Sequence, residues 1–107
     1  MQIINEMKLE FMGVPENEGF ARVAVSAFAV QLDPTLDVLA DIKTAVSEAV
    51  TNAIVHGYAD APGGVVTVAA VLRDDGVLAL EIMDKVTVES KPGEGTTVRM
   101  QKRLREG

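Results

Sequence analysis

The order of local sequence patterns most strongly constrains how this 107-residue chain folds. Residues 7–11 alternate apolar and charged side chains, which is typical of a half-buried strand. Two stretches with helical spacing follow, at residues 16–31 and 35–56, and β-rich stretches occupy most of the remaining chain. Because helices precede most of the strands, the pattern predicts an α/β (α+β) two-layer sandwich with helices packed on a mainly antiparallel sheet, in a single domain of residues 1–107.

Four β-rich stretches are expected after the second helix. Residues 65–72 and 77–83 flank Arg73-Asp74-Asp75-Gly76, and the Asp-Gly pair is typical of a tight hairpin. Residues 85–90 and 96–101 are expected to form a second pair.

The junction between the second and third of these stretches breaks this pattern. No Gly, Pro or Asn separates Asp84 from Lys85, although strands usually have about six residues. Either residues 77–90 form one unusually long strand, or the natural chain carries further residues between Asp84 and Lys85.

The first helix is expected to have an apolar stripe, with Arg22 beside it and facing solvent. The expected stripe is Phe20, Val23, Ala24, Ala27 and Phe28.

The second helix is expected to end at His56, because Gly57 suits a helix terminus and residues 58–64 have the composition of a loop. One face of this helix is expected to join the core. That face comprises Leu39, Ile42, Val46, Val50 and Ala53.

A polar stripe lies on another face of the second helix, where Glu48, Asn52 and His56 follow one another at fourfold spacing. Three interpretations are open. The stripe is a solvated helix edge, or it is a zinc site, for which one His and no Cys make a poor ligand set. Alternatively, Asn52 holds magnesium through its amide oxygen and Glu48 is a general base.

Composition restricts the partners. Ten Lys and Arg against sixteen Asp and Glu give a net charge of −6, which opposes binding to nucleic acid but not to a single nucleotide. The chain has no Cys, and its N-terminus lacks a basic region followed by a long apolar run. We therefore expect a cytoplasmic protein without disulfides or membrane contact.

The sequence around the polar stripe adds information that spacing lacks. Residues 47–58, SEAVTNAIVHGY, closely resemble the N-box of the GHKL superfamily, which includes gyrase, histidine kinases and MutL. The chain is most similar to a subfamily of anti-sigma factors from spore-forming bacteria that are serine protein kinases. Residues 16–23, 31–35, 88–90 and 95–98 share this similarity. The resemblance implies the Bergerat ATP-binding fold.

The resemblance also implies roles for individual residues. Glu48 matches the catalytic base and Asn52 the magnesium ligand of the family. Asp84 matches the aspartate that accepts a hydrogen bond from the adenine amino group. Thr96 matches the threonine that joins this aspartate in binding adenine, directly or through water. Arg22 matches the arginine with which this subfamily binds protein partners.

The implied function is that of an anti-sigma factor kinase. It binds ATP or ADP with magnesium, inhibits a sporulation sigma factor and phosphorylates a serine of an anti-sigma factor antagonist, as a homodimer. The alternatives are a sigma-binding module without catalysis and a general-stress anti-sigma kinase. A two-component histidine kinase is disfavoured, because the chain has no room for a dimerisation and phosphoacceptor helix pair. His56 either contacts the nucleotide or caps the helix, and we favour the cap.

One departure from the family pattern concerns the phosphate site. In the family, the adenine aspartate begins a D-x-G-x-G motif, which a flexible ATP lid and a second glycine-rich motif follow. Here Asp84 is followed by Lys85-Val86-Thr87. We therefore expect that the natural protein has a lid segment between Asp84 and Lys85 that this sequence lacks.

Overall fold

The structure is a computed structural model, and the ranges in which it describes the backbone are residues 2–60, 64–85, 87–88, 91–92 and 97–105. Side chains are described for residues 2–55, 64–83 and 97–105. The elements in chain order are β1 (Ile3–Met12), α1 (Asn17–Ala29), a 3₁₀ turn (Val30–Leu32), α2 (Leu36–Asp60), β2 (Val65–Arg73), β3 (Val77–Lys85), β4 (Thr87–Val88), β5 (Lys91–Pro92) and β6 (Thr97–Arg103).

Four strands form one antiparallel sheet in the order β1-β2-β3-β6. The two helices pack together, and their buried residues join those of β2 and β3 in one hydrophobic cluster. This arrangement confirms the predicted two-layer sandwich.

The core face of α2 is largely as predicted. Ile42, Val46, Val50 and Ala53 are buried, and Leu39 packs against the core while partly exposed. Their spacing of three or four residues places them on one side of the helix. The sheet contributes alternate residues, as the period of two requires. Those in β2 and β3 are Val66, Val68, Ala70, Leu72, Leu78, Leu80 and Ile82.

The predicted pairing of residues 85–90 with 96–101 is wrong. Strand β6 pairs with β3 instead, with Met100 opposite Leu80 and Val98 opposite Ile82. This register places the apolar residues of β6 beside those of β3 on the core face, and thus extends the core. Among the described residues, strands β4 and β5 pair with each other and with no other strand.

The single long strand considered for residues 77–90 is also not formed. Asp84 and Lys85 are the last two residues of β3 and pair with Val66 and Val65 of β2. Strand β4 belongs to a different ladder. Strand β3 therefore includes both residues of the Asp84–Lys85 junction and ends at Lys85.

The predicted apolar stripe of α1 is wrong in part. Phe28 is buried, but Phe20 and Val23 are 54% and 63% exposed. The buried face contains Ala21 and Val25 instead, at fourfold spacing. These short side chains allow close packing of α1 against its neighbours, whereas Phe20 lies at the margin, edge to face with Phe11 at a ring-centroid distance of 6.3 Å.

Helix α2 ends at Asp60, so the prediction that it ends at His56 is wrong. Glycine tolerates helical dihedral angles, at a cost of about 1 kcal/mol relative to alanine, so Gly57 permits a helix end without requiring one. Residues 58–60 of the predicted loop at 58–64 therefore belong to α2, and residues 61–63 lie outside the described residues. Although α2 has 25 residues, neither it nor any other described helix is long and apolar enough to span a membrane.

The predicted hairpin between β2 and β3 is confirmed. Gly76 has a φ of 84°, in the left-handed region, and its carbonyl accepts a hydrogen bond from the Leu104 N–H at 2.8 Å. Arg73 donates from Nε to Oδ1 of Asp75 at 3.0 Å. This hydrogen bond lowers the pKa of Asp75 below its ordinary value. Hydrogen bonds therefore join the turn to the last residue of β2 and to Leu104, which follows β6.

Candidate functional site

The two described side chains of the polar stripe, Glu48 and Asn52, open to solvent on the side of α2 away from the core. Glu48 and Asn52 are exposed and lie one helical turn apart, between buried residues such as Val50 and Ala53. Together with Ser47 and Thr51 they line an open hollow of about 380 Å³. The structure thus brings together the predicted base and the predicted magnesium ligand.

A second hollow, of about 470 Å³, lies between the two helices, and we call it the interhelical hollow. Its lining residues are Arg22, Val23, Lys43, Thr44, Ser47 and Glu48. Ser47 and Glu48 line both hollows. The interhelical hollow is therefore lined by both Arg22, the predicted partner-binding residue, and Glu48, the predicted base.

A polar contact joins the helices beside this hollow. The Ser47 hydroxyl donates a hydrogen bond to Oε1 of Glu18, although the two residues are 29 positions apart. The same Oε1 lies 3.9 Å from Nη1 of Arg22, one turn further along α1. Sequence patterns assigned no functional role to Ser47, Glu18 or Lys43. Helical spacing alone indicates the Glu18–Arg22 pair, whereas the contact with Ser47 depends on how the helices pack.

The backbone of Asp84 lies at the end of the sheet where α2 connects to β2. The chain passes from α2 through residues 61–64 into β2, whose second residue, Val66, pairs with Asp84. Val66 belongs to the core-facing residues of the sheet. The side chain of Asp84 lies outside the described residues, so its predicted contact with adenine stays a prediction.

Two further predicted site residues fall partly or wholly outside the described residues. Thr96 precedes the first residue of β6, Thr97, and is not itself described. His56 lies within α2, four residues before its end, but its side chain is not described. Their predicted roles remain untested.

The acidic residues of the site do not form a metal cage by themselves. Within the described residues, no group of three or more His, Cys, Asp or Glu side chains could hold a metal ion. Asn52 provides an amide oxygen and Glu48 a carboxylate, both hard ligands of the kind magnesium binds. This donor set fits an ion that takes its remaining ligands from water and phosphate oxygens, as magnesium commonly does.

Comparison with protein families and curated proteins identifies relatives of this chain. The family described as "Histidine kinase-like ATPase domain" matches residues 14–88. A protein of Geobacillus sp. (strain WCH70) named anti-sigma F factor is 57% identical over 81 residues, which cover 76% of this chain and 55% of the relative. Anti-sigma F factor of Clostridium acetobutylicum is also 57% identical over 81 residues, with the same coverage. In these matches the chain spans about half the length of the relatives.

A longer alignment covers almost all of both proteins. Anti-sigma F factor of Geobacillus thermodenitrificans is 42% identical over 136 aligned positions, covering 94% of this chain and 93% of the relative. Because 94% of 107 residues is about 101 residues, roughly 35 aligned positions have no residue of this chain. The chain therefore belongs to the histidine kinase-like ATPase family and, within it, to the anti-sigma F factors.

Proposed function

We propose that this chain is an anti-sigma factor and serine kinase. It inhibits a sporulation sigma factor and uses ATP to phosphorylate a serine of an anti-sigma factor antagonist. The observation that carries this proposal is the position of Glu48 and Asn52. Both match the family motif, both are exposed, and they line one hollow on α2.

Phosphoryl transfer requires mainly positioning and electrostatic stabilisation. Glu48 is the proposed base: its exposed carboxylate accepts the proton of the attacking serine hydroxyl. Asn52 is the proposed magnesium ligand through its amide oxygen. Magnesium, when bound, offsets the negative charge of the phosphates.

Adenine recognition is assigned to Asp84 and Thr96. The exocyclic amine of adenine is a hydrogen-bond donor, and a buried carboxylate is a strong acceptor for it. Leaving one such buried polar group without its partner costs roughly 1 to 3 kcal/mol, which favours adenine over bases that lack this amine. Replacing Asp84 with Asn should therefore weaken binding of ADP, as measured by calorimetry.

Arg22 is the proposed contact with protein partners. Its side chain is 45% exposed and lines the interhelical hollow together with Glu48. A carboxylate of a partner at Arg22 therefore directs a neighbouring serine towards Glu48. Replacing Arg22 with Glu should weaken binding of both the sigma factor and the antagonist.

We also propose that the protein is a cytoplasmic homodimer. No described helix covers the outer face of the sheet, where Ala69, Val71 and Ala79 border a shallow hollow of about 280 Å³. Small half-buried apolar residues on an open sheet face suit contact with a second copy. Light scattering should report a dimer, and Ala79→Arg should shift it towards monomer.

Kinase activity is tested by replacing Glu48 with Gln. The variant should lose phosphorylation of the purified antagonist while retaining ADP affinity, because the amide cannot accept the proton but keeps the size of the side chain. Glu6→Gln, an exposed change on β1, is the matched control and should leave phosphorylation unchanged. Persistent phosphorylation by the Glu48→Gln variant would remove Glu48 from this role.

A second candidate, a sigma-binding module without catalysis, is favoured by one observation. Where the family has D-x-G-x-G, this chain has Asp84-Lys85-Val86-Thr87, and its backbone continues directly from Asp84 to Lys85 within β3. Phosphate binding through backbone N–H groups usually requires glycine, which lets the chain approach closely. The alignment in which roughly 35 positions have no residue of this chain favours the kinase instead, because a lid segment between Asp84 and Lys85 of the natural protein would account for such positions.

Two measurements separate the candidates. Transfer of label from γ-³²P-ATP to the antagonist identifies a kinase, whereas sigma-factor binding without transfer identifies the module. The intact mass tests the lid. A value near 11.4 kDa means that the chain is contiguous at Asp84–Lys85, and a mass larger by a few tens of residues means that the lid is present.

A further inference from the structure

One carboxylate of α1 connects the two walls of the interhelical hollow. Oε1 of Glu18 accepts the hydrogen bond from the Ser47 hydroxyl of α2, and it lies 3.9 Å from Nη1 of Arg22. Ser47 directly precedes Glu48 in the sequence. Glu18 therefore touches the proposed partner-binding residue and the neighbour of the proposed base.

The remaining packing between α1 and α2 has little directional character. Val25, Ala29, Val46 and Val50 are completely buried, and apolar contact among such residues is non-directional. A hydrogen bond to a carboxylate has a defined length and angle. Among the described side-chain hydrogen bonds, that of Ser47 with Glu18 is the one that joins these two helices.

Helix geometry transmits this constraint to Glu48. Successive residues of an α-helix are separated by about 100° around the axis and 1.5 Å along it. Fixing Ser47 against α1 therefore fixes the direction in which Glu48 leaves α2 and its height relative to Arg22. Without this contact, only apolar packing joins the described side chains of the two helices, and such packing permits a small rotation or shift of α2 relative to α1.

We propose that Glu18 is a positioning residue, which acts through Ser47 to hold Glu48 in register with Arg22. The same carboxylate orients Arg22 by charge attraction. The proposal rests on the proposed function, since it requires that Arg22 holds the antagonist and Glu48 receives the serine proton. A misplacement of reacting groups by about 1 Å can lower a rate about 100-fold, so partial loosening should lower kcat about tenfold.

Four variants separate the two contacts of Glu18. Ser47→Ala removes the hydrogen bond and leaves the Glu18–Arg22 pair. Glu18→Gln keeps an acceptor for Ser47 but removes the charge beside Arg22, and Glu18→Ala removes both contacts. Ser47→Thr retains the hydroxyl and serves as the rescue variant.

The readout is steady-state phosphorylation of the antagonist, with kcat and KM measured separately. Ser47→Ala should lower kcat about tenfold, with KM for the antagonist and ADP affinity within twofold of wild type, and Ser47→Thr should restore kcat. Glu18→Gln should retain kcat but raise KM, because only the orientation of Arg22 is affected. Adding Ser47→Ala to Glu18→Ala should have no further effect on kcat.

A matched control removes a different tertiary contact of the same helix. Asp41 Oδ2 accepts a hydrogen bond from Lys102 Nζ at 3.2 Å, which joins α2 to β6 away from the hollow. Asp41→Ala removes this hydrogen bond and should leave kcat unchanged. Urea unfolding of every variant shows whether a lower kcat reflects loss of folded protein.

The outcomes distinguish this inference from the proposed function. If the wild type phosphorylates the antagonist and Ser47→Ala does so with an equal kcat, the positioning role is refuted while the kinase function stands. A loss of kcat that Ser47→Thr fails to restore would also overturn it. If the wild type shows no transfer, the proposed kinase function fails, and this inference fails with it.

Discussion

Replacing Gly76 with alanine should destabilise the protein through the β2–β3 turn. Gly76 has a φ of 84°, and holding a residue with a Cβ in the left-handed region costs roughly 1 to 2 kcal/mol. A Cβ at this position would lie 2.4 Å from the carbonyl oxygen of Arg105. That oxygen belongs to the main chain, so the segment after β6 must move.

The movement also affects a hydrogen bond. The Leu104 N–H donates to the Gly76 carbonyl at 2.8 Å, and a displaced Arg105 draws Leu104 with it. Losing this contact costs about 1 kcal/mol. Together these effects predict a loss of about 2 to 3 kcal/mol in the free energy of unfolding, a large part of the stability of a small domain.

Urea unfolding followed by circular dichroism measures this loss. The midpoint should fall by about 1 to 2 M, with a slope close to that of the wild type. Gly19→Ala is the matched control, because Gly19 lies in α1 and its added Cβ would meet only Nη2 of Arg22, at 3.8 Å. It should stabilise the protein by about 0.5 kcal/mol. A Gly76→Ala variant within 0.5 kcal/mol of wild type would refute this reasoning.

Three other substitutions test separate parts of the structure. Thr67→Val should stabilise the protein by about 1 kcal/mol in urea unfolding, because the buried Thr67 hydroxyl has no hydrogen-bond partner among the described residues. A destabilised variant would contradict this. Asp75→Asn should lower stability at pH 7, because the hydrogen bond from Arg73 lowers the pKa of Asp75 in the folded protein and so favours its charged form. The difference in stability from wild type should shrink as the pH falls below 3.8, where Asp75 becomes protonated. Thermal melts at several pH values measure this difference. Asn52→Ala should weaken magnesium-dependent ATP binding at least tenfold by calorimetry, and unchanged affinity would remove Asn52 from the proposed magnesium site.

Local sequence patterns were sufficient for much of the fold. The core face of α2 was predictable because its apolar residues recur at helical spacing. The β2–β3 hairpin was predictable because Asp75-Gly76 suits a tight turn with a positive φ. The partner strand of β6 was not predictable, because β-rich composition does not determine which strands are neighbours in the sheet. Register depends on which pairing extends the buried face.

The burial of α1 depended on its neighbours as well. Phe20 and Phe28 have similar hydrophobicity, yet Phe20 is 54% exposed and Phe28 is 8% exposed. Ala21 fits the close contact with the rest of the core, where a larger residue would not. The spacing of apolar residues defines the faces of a helix, but it does not determine which face packs against the sheet.

The sequence by itself determined the family and the two exposed residues with the clearest proposed chemistry, Glu48 and Asn52. Their fourfold spacing and their motif are properties of one continuous segment, so local helix geometry brings them together. Only the tertiary structure decided that Arg22 and Glu48 share a hollow and that Glu18 reaches Ser47. These contacts join two helices, and the packing of α1 against α2 sets the distance between them.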